Sequence, residues 1–389
     1  MKVSKRVTFV LLILGVAVVV AVTAQQVLGE RDQQPTAQAQ AAWEFQIPQE
    51  LQARFYEFAV TPGEQQVIAT SPEAVWRINE SGELEQILPL ESGAQQGESA
   101  TLAGDGSRVG IMLHQQHDIE GFRLVDLNGN ILASIENPLQ FHYRVSPQGD
   151  SFVGIDAAGE HIQVHADRFV YTFYDESGTV TAEVTSARPQ PSDSAYTPDG
   201  QAFVVNNAEG IFVYSLSNGE PLFAVRKTAK LFSAANIDSQ LVVVSDAVEK
   251  NIVEAYRGGS PLWQFSIEGN VRNLTISPNG EFMLATDGNS AYLFTPTSET
   301  PVWSFPVPEK DFTINSAAVN DRGVVALGAQ HSELNRGLVI LLDADRKTMF
   351  ERELAYELSN AWIPAVQFDQ TGAYVLVRTL EELILLATE

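Results

Sequence analysis

A four-residue turn recurs eight times along this chain, about forty residues apart, and such self-similarity limits the fold more than any single motif could. Seven copies are Thr61-Pro62-Gly63-Glu64, Ala103-Gly104-Asp105-Gly106, Ser146-Pro147-Gln148-Gly149, Thr197-Pro198-Asp199-Gly200, Ser277-Pro278-Asn279-Gly280, Asn320-Asp321-Arg322-Gly323 and Asp369-Gln370-Thr371-Gly372. The eighth, Ile237-Asp238-Ser239-Gln240, is degenerate. Counted at the fourth residue, the intervals are 42, 43, 51, 40, 40, 43 and 49 residues. Proline at the second place sets φ to about −65°, Asp or Asn at the third tolerates the bridge region, and glycine at the fourth allows the positive φ that leads into a returning strand. The flanking runs, such as 202–206 and 282–286, carry the β-branched and aromatic residues that strands favour.

A second turn comes later in each unit, as in Tyr214-Ser215-Leu216-Ser217-Asn218-Gly219 and Val125-Asp126-Leu127-Asn128-Gly129-Asn130. Four strands in about 42 residues match a blade of a β-propeller. The last strand of several units has an aromatic alternation: Leu262-Trp263-Gln264-Phe265-Ser266-Ile267, Val302-Trp303-Ser304-Phe305-Pro306-Val307 and, more weakly, Leu222-Phe223-Ala224-Val225. The same pattern stands at Ala42-Trp43-Glu44-Phe45-Gln46-Ile47, well before the first turn, while the chain stops at Glu389 after the third strand of its last unit. One outer strand lacks a blade and one blade lacks an outer strand. The chain is therefore expected to be all-β, an eight-bladed β-propeller of four-stranded antiparallel blades, with residues 42–47 completing the C-terminal blade so that no radial gap is left.

Ahead of this domain (42–389), Lys2, Lys5 and Arg6 precede an unbroken apolar run at 7–22. Positive charge before a hydrophobic helix keeps an N-terminus cytoplasmic while the rest of the chain is exported. Residues 1–24 are read as a signal peptide or an N-terminal membrane anchor. Val22-Thr23-Ala24 would suit a signal peptidase, and the length would also suit a thin bilayer. Residues 25–41, rich in Gln and Ala, read as a flexible linker. The expected location is extracytoplasmic, periplasmic or at the cell surface, either anchored or secreted.

The segment Ala255-Tyr256-Arg257-Gly258-Gly259-Ser260-Pro261-Leu262-Trp263-Gln264-Phe265 resembles the Gly-x-x-x-Trp-x-Phe stretch of PQQ-like repeats. The Ser/Thr-Pro-Asp/Asn-Gly turns resemble the WD-like type. The resemblance to these bacterial repeat propellers covers residues 42–389 and implies the fold, since the repeat marks how blades pack and the same ring carries unrelated functions. Size and blade count are similar to the periplasmic propeller of the outer-membrane β-barrel assembly machinery. That component is a lipoprotein, and this chain has no cysteine to modify.

Composition narrows the chemistry. With 49 Asp and Glu against 24 Lys and Arg, the formal charge is −25, which repels a phosphate backbone and argues against nucleic acid as a partner. The absence of cysteine removes disulfides, thiolate metal sites and a cysteine nucleophile. Gly104-Asp105-Gly106 with Gly110 has the wrong spacing for a dinucleotide loop and coincides with a repeat turn. His114 and His117, three apart on a strand, face opposite ways. His161 and His165, with Asp156 and Asp167 nearby, form a better cluster in an insertion that a ligand could order, but two imidazoles at loose spacing read as solvated loop histidines. Asp126, Asn128 and Asn130 imitate the start of a calcium loop, but Asn137 stands where the bidentate Glu belongs. Trp43, Trp263 and Trp303 are read as blade-packing aromatics. The chain is thus assigned no catalytic, cofactor-binding or metal-binding residues and no cofactor.

Loop length does vary. The extra residues, at 157–168 in unit three, 328–336 in unit seven and in the connectors 91–98 and 186–193, all fall on the face of the second–third strand loops. Binding usually lives on loops held by a rigid scaffold. The expected function is non-enzymatic: an extracytoplasmic interaction scaffold or envelope-complex component that meets a protein partner on this face, with the N-terminal segment meeting the membrane if it is uncleaved. Alternative readings are a ligand-binding module or metal-dependent hydrolase at the channel mouth, or a quinone-dependent dehydrogenase.

Overall fold

The computed structural model describes residues 39–388, apart from 53, 92–95, 116–117, 137–139, 159–167, 188, 310, 332 and 356–363. The expected N-terminal helix and most of the linker lie outside the described residues. The strands form eight separate four-stranded antiparallel sheets, seven of them from consecutive strands. They are blade 1 (58–89), blade 2 (96–135), blade 3 (140–187), blade 4 (189–225), blade 5 (229–266), blade 6 (273–306) and blade 7 (312–355), each with its first strand innermost. Blade 8 takes three strands from 365–387 and its outer one from Ala41–Gln46. That closing strand pairs antiparallel with Glu382–Ala387, Trp43 opposite Leu385 and Phe45 opposite Leu383. The predicted clasp is present, one residue earlier than 42–47, and the Ile47 amide extends the ladder to the Glu381 carbonyl at 2.8 Å.

The repeat turns explain how each blade starts. In blades 2, 3, 4, 6, 7 and 8 the fourth residue, from Gly106 to Gly372, has φ between 64° and 77° and donates its amide to the first residue's carbonyl. Degenerate blade 5 forces Gln240 into the same left-handed region, at φ 50°. Blade 1 departs from the expected pattern. Here Gly63, the third residue, takes φ 73°, and Glu64 donates to Thr61, the arrangement of a type II turn with Pro62 ahead of the glycine. A Ser or Thr at the first place is also used. The Thr197 hydroxyl accepts from the Ala202 amide at 3.0 Å and donates to Asp199 at 2.6 Å, and Ser277 repeats the device with Phe282 and Asn279.

The core lies between blades. One cluster joins Leu284, Leu293 and Trp303 of blade 6 to Phe312, Leu327 and Ile340 of blade 7, and the others are built alike. The three tryptophans are the packing groups expected. Trp43 and Trp303 bury their rings and donate their indole N–H to carbonyls of the next blade, at Gln65 (2.7 Å) and Ala344 (2.9 Å). Trp263 stacks on Phe294 of blade 6, centroids 5.2 Å apart. In blades 2, 3, 4, 5, 7 and 8 a β-bulge interrupts the outer strand near its start. A bulge twists an otherwise open edge away from further strand pairing.

Gly110, a candidate phosphate-loop glycine by sequence, is required by packing. A Cβ there would lie 2.6 Å from the Phe122 ring and 2.8 Å from Val145. Gly110→Ala should destabilise the ring by about 1–3 kcal/mol, the usual cost of overpacking, whereas Gly82→Ala, whose Cβ would meet only a carbonyl at 3.6 Å, should cost about 1–2 kcal/mol through its left-handed backbone, φ 72°, and not through contact. Urea unfolding midpoints of the two variants check this.

Candidate interaction surface

The strand order gives the ring two unlike faces. On one lie the first–second and third–fourth turns, and on the other the second–third hairpins and the links between blades. Near the axis on the turn side, hydrogen bonds bridge every junction. In ring order they are Leu102 N–H to Glu57, Asp105 N–H to the Pro147 carbonyl, Gln148 to the Pro198 carbonyl, Ile237 N–H to Asp199, Asn236 N–H to the Pro278 carbonyl, Asn279 N–H to Asp321, Asn320 to the Gly372 carbonyl, and Gln367 to the Phe58 carbonyl. Gln370 of blade 8 also reaches across to the Pro147 carbonyl of blade 3 at 2.6 Å. Behind these turns lies an axial cavity of about 430 Å³, lined by residues of every blade but the fifth, including Phe58, Gly104, Pro198, Ile276 and Val319.

Charge enters the ring interior sparingly. Burial raises the Glu57 carboxyl above its usual range, although the Leu102 amide, Thr101 and the positive charge of Arg144 pull the other way. Burial likewise lowers Arg144 and its neighbour His142, so His142 favours its neutral form. Among the described residues, no three His, Asp or Glu side chains come together as they would to hold a metal ion.

On the opposite face the structure corrects the expected insertions. Residues 328–331 belong to the strand Val325–His331, which pairs with Arg336–Leu342, so most of the unit-seven segment is hairpin and not loop. In unit three, Ala157 and Ala158 pair with Phe169 and Arg168, while 159–167 lie outside the described residues. The connectors shrink as well, since 96–98, 186–187 and 189–193 are strand. Among the described residues, the extra length therefore goes into strands, and the second–third hairpins differ in size. Blade 3 has two middle strands of 8 residues (Ser151–Ala158, Arg168–Asp175), and blade 2 has 8 and 9 (Arg108–Gln115, Asp118–Asp126). Blade 6 has only 4 and 5 (Met283–Thr286, Ser290–Phe294). The blade 2 hairpin was not foreseen, because its interval of 43 residues is unremarkable.

The other sequence candidates resolve individually. His114 stands at a bulge in the blade 2 hairpin with its ring nitrogen 2.7 Å from the Ser99 hydroxyl, and burial lowers its pKa. His117, His161, His165, Asp167 and Asn137 lie outside the described residues, and Asp156 is in strand opposite Val170. Asp126 caps a hairpin turn, accepting the Asn128 and Asn130 amides at 2.9 Å each.

Sequence reasoning missed a charged cluster on this second face. Lys227, in the link from blade 4 to blade 5, places its ammonium 2.6 Å from Asp246 and 2.5 Å from Glu254, whose other oxygen accepts from the Tyr256 hydroxyl at 2.5 Å. Burial draws the ammonium down, but the hydrogen bonds and charges of Asp246 and Glu254 outweigh it and hold Lys227 above its ordinary range. The signal was available: Arg226, Lys227 and Lys230 form a basic knot in an acidic chain.

No protein-family model and no curated protein sequence matches the chain. Solved structures do. The C-terminal WD40 domain of Sif2 superposes with a TM-score of 0.62 at 14% identity, covering 91% of this chain and 99% of that one. BamB from Moraxella catarrhalis gives 0.54 at 10% identity, over 90% and 99%. The dihydro-heme d1 dehydrogenase NirN gives 0.53 at 10% identity, over 78% and 67%. Identities this low carry the architecture alone. With its eight four-stranded blades and clasped ring, the chain is a β-propeller, similar in fold to WD40 and BamB propellers.

Proposed function

We propose that this propeller is a non-enzymatic, extracytoplasmic interaction scaffold that engages a protein partner through the face bearing the long hairpins. What carries the proposal is the unequal reach of that face. The hairpins of blades 2, 3 and 7 extend beyond those of blades 1 and 6, and blades 3 and 7 stand opposite each other in a ring of eight. A ligand touching both must span the channel mouth, which suits a macromolecule, and loops on a rigid frame are where recognition concentrates. The basic residues and apolar run at the N-terminus support export, and the net charge of −25 speaks against a nucleic-acid partner.

The test is affinity capture of the tagged full chain from membranes, compared with a variant in which 159–167 is replaced by Asn-Gly, the residue pair suited to a tight hairpin. The full chain should retain a defined partner and the shortened one should lose it with its melting temperature unchanged. Equal recovery by both would contradict the role given to this face.

A further inference from the structure

The other face carries a groove of its own. Between blades 3 and 4 a cleft of about 540 Å³ opens among the turns, with Phe152, Phe173 and Tyr196 among its lining residues and Leu222 at its rim. Its walls are held together: the Thr181 hydroxyl of blade 3 donates to the Leu216 carbonyl of blade 4 at 2.9 Å. Phe203 locks the aromatic side chains beneath, edge-on to Phe173 and Tyr196 at 5.5 and 5.1 Å.

Three features single out this cleft. Leu222 is 47% exposed although it sits beside a ready apolar pocket. The Tyr196 hydroxyl is buried, and among the described residues the Ser151 side chain approaches it without completing a well-formed hydrogen bond, which leaves the phenol under-satisfied. Among the described residues, the only ionisable side chains lining the cleft besides Tyr174 and Tyr196 are the carboxylates Asp150 and Asp175, and from Phe169 to Val225 the sole base is Arg188 against seven acids.

We infer that this inter-blade cleft is a second docking site, taking a peptide segment with a large apolar side chain flanked by lysine or arginine. The apolar residue would fill the space beside Leu222 and over the aromatic floor. The flanking cations would face Asp150 and Asp175, and a peptide backbone group would satisfy the Tyr196 hydroxyl. The site is separate from the hairpin face, so either can fail without the other.

The probe is a displayed library of random heptapeptides selected against the immobilised full chain, with the enriched peptides then synthesised and titrated. Enrichment of apolar centres between basic residues is expected. Binding should weaken about tenfold in Leu222→Glu and in Asp150→Asn/Asp175→Asn, which removes charge but keeps each side chain's acceptor oxygen, and about threefold in Tyr196→Phe. Val248→Glu, at an 84% exposed position on the opposite face, should change nothing. No enrichment, enrichment of acidic peptides, or equal loss in Val248→Glu and Leu222→Glu would each overturn the assignment.

Discussion

A chain beginning at residue 48 should fail to show the cooperative thermal transition of the full protein, and should self-associate. Without the closing strand, Glu382–Ala387 becomes a bare edge whose unpaired main-chain groups invite other chains. More than hydrogen bonding is lost. Trp43, Phe45 and Ile47 pair into blade 8 but pack in one cluster with Val60, Val67 and Ile78 of blade 1, so a single strand seals both sides of the junction. Trp43→Ala should therefore cost about 3–5 kcal/mol, as expected for deleting a buried large aromatic. Glu44→Ala, on the alternate outward side, should cost within about 1 kcal/mol, because its 2.6 Å pair with Arg352 is solvent-exposed. Denaturant unfolding followed by tryptophan fluorescence, with sedimentation for the truncation, checks all three. A truncated chain that stayed monomeric and melted cooperatively would remove the clasp from the account.

The second large effect is expected at Lys227. Lys227→Met strands the Glu254 carboxylate, whose side chain is only 6% exposed, next to Asp246 with no cation between them. Breaking a buried pair costs about 3–5 kcal/mol. Because the Lys227 side chain keeps 30% exposure, solvent screening reduces the expected loss to about 2–3 kcal/mol. Lys227→Met/Glu254→Gln should recover most of it, since the amide still accepts from Tyr256. The pH dependence has a definite sign. The Lys227 hydrogen bond depresses the Asp246 pKa, so that group's contribution is complete above the ordinary carboxylate range and is lost as pH falls through its lowered value. Lys227 is shifted upward, so its share persists from low pH until strongly alkaline conditions. The difference between wild type and Lys227→Met should be flat across neutral pH and shrink in acid. Chemical denaturation at several pH values would show whether it does.

What was legible in the sequence was whatever repeats. Each Pro-x-Gly turn announces a strand pair, and Trp43 could be assigned to the last blade because it reproduces the surroundings of Trp263 and Trp303. Departures from the repeat were harder to place. The extra residues of units three and seven looked like loops, although a hairpin lengthened by pairs such as Gln330 with Gly337 leaves the same interval between turns. Gly63 sits in the third place of its turn, and only backbone angles separate that turn from its sisters. The Lys227 cluster and the cleft beside Leu222 both arise between blades. Lys227 reaches Asp246 and Glu254 from the link between blades 4 and 5, and the cleft takes its lining from blades 3 and 4 together. Nothing within one unit encodes such a meeting.

The clasp also constrains how the molecule can be made. Gln46 and its partner Glu382 are 336 positions apart, so the closing strand, made early in synthesis, must wait for nearly the last. Sequence-distant pairings of this kind slow folding and expose sticky segments in the interim. Trp43, Phe45 and Ile47 are such a segment, interleaved with Glu44 and Gln46, whose polarity acts as a gatekeeper against premature aggregation. A newly made chain would depend on a holding chaperone most acutely over those few residues.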